Sequence, residues 1–168
     1  MSQKPPPQEK DPEREQGEQE EELAISHAKA YGASGVTVYY DRGRCLHFAE
    51  CVRGLPEVFD VKKRPWIQPQ NASAEQVTEV VRRCPSGALH YRLKEGSPEE
   101  PEQPTRVELV TNGPINLRGD LSIDVSAGRM REVRASLCRC GRTENEPFCD
   151  KACSRIGWTS EEPARGND

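Results

Sequence analysis

The chain has 168 residues, of which 33% are hydrophobic and 31% charged, and a formal net charge of −4. Such a composition excludes one large hydrophobic core and favours small domains held by an additional staple. The acidic balance, with no basic stripe interleaved with aromatics, argues against a nucleic-acid partner, and no run of about 18 apolar residues offers a membrane span.

Seven cysteines are the available staples. Their odd number leaves a disulfide framework unclosed. The opening MSQKPPPQEK has no apolar signal core, which predicts a cytoplasmic chain with reduced thiols. Reduced cysteines in sets point to metal or catalytic chemistry.

In chain order, residues 1–22 carry eight acidic and three basic residues, including the run Pro5-Pro-Pro7. So little apolar surface cannot offset chain entropy. Residues 1–35 are therefore expected to be a disordered acidic segment, with at most a weak helix over 22–31. A first domain is expected over 36–94. Val36-Thr-Val-Tyr-Tyr40 reads as a strand and Asp41-Arg-Gly43 as a turn. Ser73 and Gln76 form a capping box that opens a helix. Val77, Val80, Val81 and Cys84 then recur with helical spacing, which puts Cys84 on the buried stripe. Pro85 stops the helix, and Ala88–Tyr91 reads as a strand.

Residues 95–104, EGSPEEPEQP after Lys94, read as a linker. A second domain is expected over 105–158. It has four short strands, at Val107–Val110, Ile115–Arg118, Leu121–Val125 and Met130–Leu137, followed by a cysteine-rich loop and a short helix. Residues 159–168 read as a polar tail. The fold class expected is α+β.

The cysteines divide into two sets. Cys45 and Cys51 flank five residues, and Cys84 follows 33 positions later, directly before Pro85. Small ferredoxins hold a cubane cluster with Cys-x2-Cys-x2-Cys and a distant Cys-Pro. Phe48 stands at the middle position here, so three thiolates remain. The outcomes are a 3Fe–4S cluster, or a 4Fe–4S cluster with one other ligand; His47, Glu50 and water are the candidates. The segments Cys45-Leu-His-Phe-Ala-Glu-Cys51, Val52-Arg-Gly-Leu-Pro-Glu-Val-Phe59, Arg64-Pro-Trp66 and Cys84-Pro-Ser-Gly-Ala-Leu89 resemble the divergent single-cluster ferredoxin domain of bacteria. The resemblance implies a small ferredoxin-like fold.

The second set is Cys138, Cys140, Cys149 and Cys153, four sulfurs within 16 residues. The motif from Leu137 through Cys138, Cys140, Thr143, Pro147 and Cys149 to Asp150 resembles the CDGSH iron–sulfur family. Asn112-Gly-Pro114, Arg118-Gly-Asp-Leu121 and Gly157-Trp158 match that family's strand region and ending. The resemblance implies a 2Fe–2S cluster held by Cys138, Cys140 and Cys149, with a histidine as the fourth ligand. Here Cys149-Asp-Lys-Ala-Cys153 replaces Cys-Asp-Gly-Ser-His, so Cys153 takes the histidine's position. Asp150 is expected to cap the short helix, with Thr143 and Pro147 shaping the loop. With one motif per chain, the resemblance implies a homodimer through the strands, or packing against the first domain in its place.

The sequence shows no nucleophile–base pair, phosphate loop or dinucleotide fingerprint. The expected function is electron transfer between redox partner proteins, without enzymatic activity. Alternatives are cluster storage, transfer or redox sensing, and a structural zinc module. Trp66 and Trp158 are expected to pack rather than relay electrons.

Replacing imidazole by thiolate removes a titrating ring nitrogen and lowers a 2Fe–2S potential. The C-terminal centre is therefore expected to have a midpoint potential nearly independent of pH between about 6 and 8. Potentiometry across that range checks it. A steep slope that Cys153→Ala abolishes would refute it.

Overall fold

The computed structural model describes residues 12–160. Much of the segment expected to be disordered is ordered: α1 spans Pro12–Ile25 and β1 spans Lys29–Gly32. Its remaining residues 1–11 lie outside the described residues. The helix is thus earlier than the one expected over 22–31, and the end of that stretch is a strand. A Glu- and Gln-rich run has good helix propensity, and Glu13 and Glu15 in the first turn favour the positive end of the helix dipole. Tertiary contact supplies the rest. Ala24 and Ile25 are buried, and Leu23 and Ala24 pack with Leu121, Met130 and Phe148 of the second unit.

The first unit is a three-stranded antiparallel sheet in the order β1-β2-β3, with β2 at Val36–Tyr40 and β3 at Leu89–Leu93. Val38 pairs with Tyr91 at its centre. Between these strands come α2 (Glu50–Gly54) and α3 (Ala74–Arg82). The expected capping box is present: the Gln76 backbone N–H donates to Ser73 Oγ, and Gln76 Oε1 accepts from the Ser73 N–H. Val77, Val80 and Val81 face the sheet and bury with Val36, Val38, Phe59 and Ile67. Each such side chain contributes about 1.5–3 kcal/mol. The helix ends at Arg82, so half-buried Cys84 sits in the turn beyond it rather than on the helical stripe.

The second unit is a separate antiparallel sheet in the order β4-β5-β6, with β4 at Arg106–Leu109, β5 at Ile115–Val125 and β6 at Gly128–Leu137. The two short strands expected at 115–125 are one 11-residue strand. A register shift between Arg118 and Leu121, at Gly119 with φ +143°, lets it continue past the expected break. The domain is therefore a long hairpin with a short edge strand, not a short-stranded unit. The last helix, α4, is Ala152–Arg155. In the expected tail, the Ser160 N–H donates to Asn112 Oδ1 at 2.9 Å, and residues 161–168 lie outside the described residues. Among the described residues no helix is long and apolar enough to cross a membrane.

The two units meet through buried charge. Arg44 and Arg134 are each 2% exposed. Arg44 Nη1 pairs with Glu132, which also accepts from His90 Nε2 at 2.8 Å. Arg134 donates to the Leu89 carbonyl at 3.0 Å and holds Glu99 through both terminal nitrogens. The 95–104 segment is thereby tied down at Glu99. Arg118 donates to the carbonyls of Arg82 and Arg83 at 2.9 and 3.2 Å, where α3 leaves acceptors unsatisfied.

Gly87 has φ +67°, and a Cβ there would collide with the Arg134 carbonyl and with Arg44 Nη2. Gly87→Ala is expected to destabilise the chain by about 2 kcal/mol or more, measured by chemical denaturation. Burial opposes ionisation of Glu132, but His90 and then Arg44 outweigh it and hold the carboxyl below its ordinary value. A lowered folded-state value means this stabilisation is complete above about pH 4.3, the unfolded value for Glu, and is lost as pH falls through the folded one. The acid limb of the stability curve should be shallower in Glu132→Gln than in the parent, as read by unfolding between pH 3 and 6.

Candidate metal centres

The N-terminal set is built by a loop that leaves β2 and returns into α2. Asp41 Oδ1 accepts from the Gly43 N–H at 2.8 Å and starts a 3-10 turn over Arg42–Arg44. Cys45 follows that turn. His47 and Ala49 then take left-handed conformations, φ +56° and +65°, which few non-glycine residues adopt. This curls the loop so that Cys51, in the first turn of α2, faces back towards Cys45. Arg53 Nη2 donates to the Phe48 carbonyl at 2.7 Å and pins the curl. Cys45, Cys51 and Cys84 all line one cavity of about 610 Å³, together with Tyr40, Phe48 and Trp66. Trp66 meets Tyr40 edge-on at 4.8 Å, the packing role expected of it.

The sulfurs of this set sense one another. Burial, then the neighbouring Cys84, pushes the Cys51 thiol up to about 11. Burial and contact with Cys45 likewise raise the Tyr40 hydroxyl. His47 is exposed, with Nδ1 3.8 Å from Cys45 Sγ, and Glu50 is paired with Arg53 at 3.0 Å. Cys84 Sγ lies 3.6 Å from Ser86 Oγ. Tyr40 and Ser86 are two site residues that the sequence reading did not single out. The Cys84-Pro-Ser turn was a signal for Ser86; none marked Tyr40.

The C-terminal set extends the β5–β6 ladder. The Cys138 N–H donates to the Pro147 carbonyl and the Cys149 N–H to the Ser136 carbonyl, each at 2.9 Å. Leu137 bridges to Phe148, so the loop closes on the end of β6. Inside it, Thr143 Oγ1 donates to the Phe148 carbonyl at 2.7 Å and accepts from the Asn145 N–H at 3.1 Å. This confirms the shaping role expected of Thr143. Asp150 accepts from the N–H groups of Ala152 and Glu144 at 2.9 and 3.2 Å, and from Arg155. It therefore ties α4 to the loop from one position ahead of the helix's own cap, Lys151, which is exposed. Burial opposes its ionisation, but these donors win and lower its carboxyl to about 2. Trp158 packs beneath the Arg139 guanidinium at 5.2 Å.

Cys138 Sγ and Cys140 Sγ are 3.8 Å apart, and Cys149 and Cys153 are each 4% exposed. Burial works against the Cys138 thiolate, yet the N–H groups of Thr143, Arg142 and Gly141 aim at its sulfur and leave it easier to ionise than a free thiol. Burial raises Cys149, as do the Cys153 and Cys138 sulfurs, while the Lys151 N–H donates to its sulfur at 3.4 Å. The set is therefore gathered, with thiolate-stabilising dipoles in place. Among the described residues, no three His, Cys, Asp or Glu donors converge on a single ion. A separation of 3.8 Å is about the edge of a tetrahedron with 2.3 Å metal–sulfur bonds, so Cys138 and Cys140 suit two positions on one tetrahedral metal. The donors fit a polynuclear iron–sulfur group, whose binding would require these thiols to ionise.

Residues 31–94 match the family described as "Divergent 4Fe-4S mono-cluster", and residues 112–152 match "Iron-binding zinc finger CDGSH type". The second match stops one residue short of Cys153, where this chain departs from the family's histidine. The protein YjdI of Escherichia coli K12, described as uncharacterized, is 39% identical over 66 residues, which cover 39% of this chain and 87% of that protein. The YjdI protein of Escherichia coli O157:H7 matches to the same extent. The chain belongs to the divergent 4Fe–4S mono-cluster family through residues 31–94, and it joins to that domain a CDGSH-type iron-binding domain over residues 112–152.

Proposed function

We propose that the protein is a two-centre iron–sulfur electron carrier rather than an enzyme. Cys138, Cys140, Cys149 and Cys153 would hold a 2Fe–2S cluster, and Cys45, Cys51 and Cys84 a 4Fe–4S or 3Fe–4S cluster. The carrying observation is the pairing of Cys138 and Cys140 at 3.8 Å beside two buried cysteines. The description of the first domain's family favours 4Fe–4S for the N-terminal set.

Such clusters supply a one-electron couple when bound. The chain's own part is to hold the thiolates and tune them. The Gly141, Arg142 and Thr143 N–H groups stabilise negative charge on Cys138, and Lys151 N–H does so on Cys149. His47 Nδ1 is close enough to Cys45 to act as a donor to its sulfur. Each iron of a cubane takes one terminal ligand, so that contact suits tuning better than ligation of a separate corner. Glu50 is engaged by Arg53 in an exposed pair, so for a four-iron cluster water is the simplest fourth ligand of the N-terminal centre.

One observation favours cluster transfer as a second reading: the three-cysteine set lines a cavity large enough to admit solvent or a partner's side chain. Incubation with an apo-acceptor separates the two readings, because a carrier retains its iron and a donor loses it.

Protein purified without oxygen should be brown-red and contain iron and acid-labile sulfide. Low-temperature electron paramagnetic resonance should resolve two signals, the 2Fe–2S signal after reduction and the other after reduction for a 4Fe–4S cluster or before it for a 3Fe–4S cluster. Cys51→Ala should remove one and Cys149→Ala the other. Colourless, zinc-loaded protein without sulfide would refute the proposal.

A further inference from the structure

Arg44 has contacts that neither cysteine set needs for its own coordination. It precedes Cys45 in the chain. Its guanidinium lies 4.2 Å from the Phe148 ring centroid, and Phe148 precedes Cys149. Its Nη1 pairs with Glu132, and its Nη2 reaches the Ser86 carbonyl at 3.4 Å and the Arg134 carbonyl at 3.3 Å. Ser86 lies two residues from Cys84. A second link runs alongside: Asn145 Nδ2 donates to the Gly43 carbonyl at 3.1 Å. One buried side chain thus touches the backbone of the Cys84 turn and the ring beside Cys149, while its own backbone leads into Cys45.

We propose that Arg44 couples the two cysteine sets, so that loading the C-terminal set is transmitted to the backbone carrying Cys45 and Cys84. The inference rests on the reading that both sets bind iron–sulfur clusters. Metal on Cys138, Cys140, Cys149 and Cys153 draws the 138–149 loop taut. Phe148 and Asn145 belong to that loop, and Arg44 and Gly43 rest on them. The Arg44 fork carries the constraint onward to Ser86. By linkage, loading of the N-terminal set acts equally on the C-terminal one. Arg44 is a positioning residue here, since it touches neither cluster's sulfur donors directly.

The test uses the full chain reconstituted with ferrous iron and sulfide, with Cys149→Ala to empty the C-terminal set. Two readouts are taken: amide hydrogen exchange of peptides covering 43–47 and 84–89, and the midpoint potential of the N-terminal centre. Cys149→Ala should speed exchange in both peptides by about tenfold and shift the midpoint. In a chain carrying Arg44→Met with Glu132→Gln, which leaves no unpaired buried charge at that contact, Cys149→Ala should leave exchange over 84–89 unchanged and shift the midpoint less, while the Asn145–Gly43 link keeps part of the response over 43–47. An unchanged exchange rate and midpoint on Cys149→Ala alone overturns the proposal, as does an equal response in the Arg44→Met, Glu132→Gln chain. Should that chain not fold, Arg44→Lys keeps the charge and loses the fork, and an undiminished response in it overturns the proposal too. Absence of iron and sulfide from the parent would instead defeat the functional reading. Exchange with and without zinc would then decide the coupling.

Discussion

A guanidinium taken out of water is tolerated only where its hydrogen bonds and its charge are met. Arg44 draws on both domains for this: Glu132 supplies the charge, and the Ser86 and Arg134 carbonyls accept from a terminal nitrogen, while its Nε has no partner among the described residues. Glu132 is itself shared with His90. A buried pair of this kind is a weak source of net stability, because desolvation offsets most of the attraction. Its effect is geometric. Sliding one domain against the other would strand at least one buried charge, so a single arrangement of the two sheets is strongly preferred.

That arrangement explains why the cysteine loops can be short and irregular. The loop carrying Cys45 holds two left-handed non-glycine residues, a conformation that persists only where surroundings enforce it. Arg53 enforces it locally, and Arg44 anchors its entry. The turn carrying Cys84 is braced from the second domain, by Arg118 on the last carbonyls of α3 and by Arg134 on Leu89. The C-terminal loop has a different support. It closes on the end of β6 through backbone hydrogen bonds and is buttressed internally by Thr143 and Asp150. Burial and neighbouring sulfurs make Cys51 and Cys149 resist ionisation, whereas nearby N–H groups offset part of that penalty for Cys149 and outweigh it for Cys138.

Most readings that rested on local chemistry agree with the structure, with Cys84 lying beyond the helical stripe expected to carry it. The Ser73–Gln76 box, the valine stripe of α3 and the strand at Val36–Tyr40 depend on residues within a few positions of one another. The readings that rested on averaged composition went astray. Residues 1–22 are so acidic that their mean predicts disorder, yet Leu23 and Ala24 at the end of α1 reach the apolar face of the second sheet. Gly119 reads locally as a break between two strands. Pairing with β6 before and after Gly119 carries β5 through it as a bulge.

Sequence alone determined the two cysteine sets, their spacing and the departure at Cys153, because thiol chemistry and ligand spacing are properties of the chain itself. It also determined the main elements of each unit, because caps and hydrophobic periods are short-range. Only the tertiary structure decided that Tyr40 stands beside Cys45, that Arg118 and Arg134 hold the Cys84 turn, and that Arg44 joins both loops. Arg44 and Glu132 are 88 positions apart, and nothing in local pattern selects which of 24 lysines and arginines will be buried. That selection follows from how two sheets, each with one apolar face, come together around charges that must find partners once water is excluded.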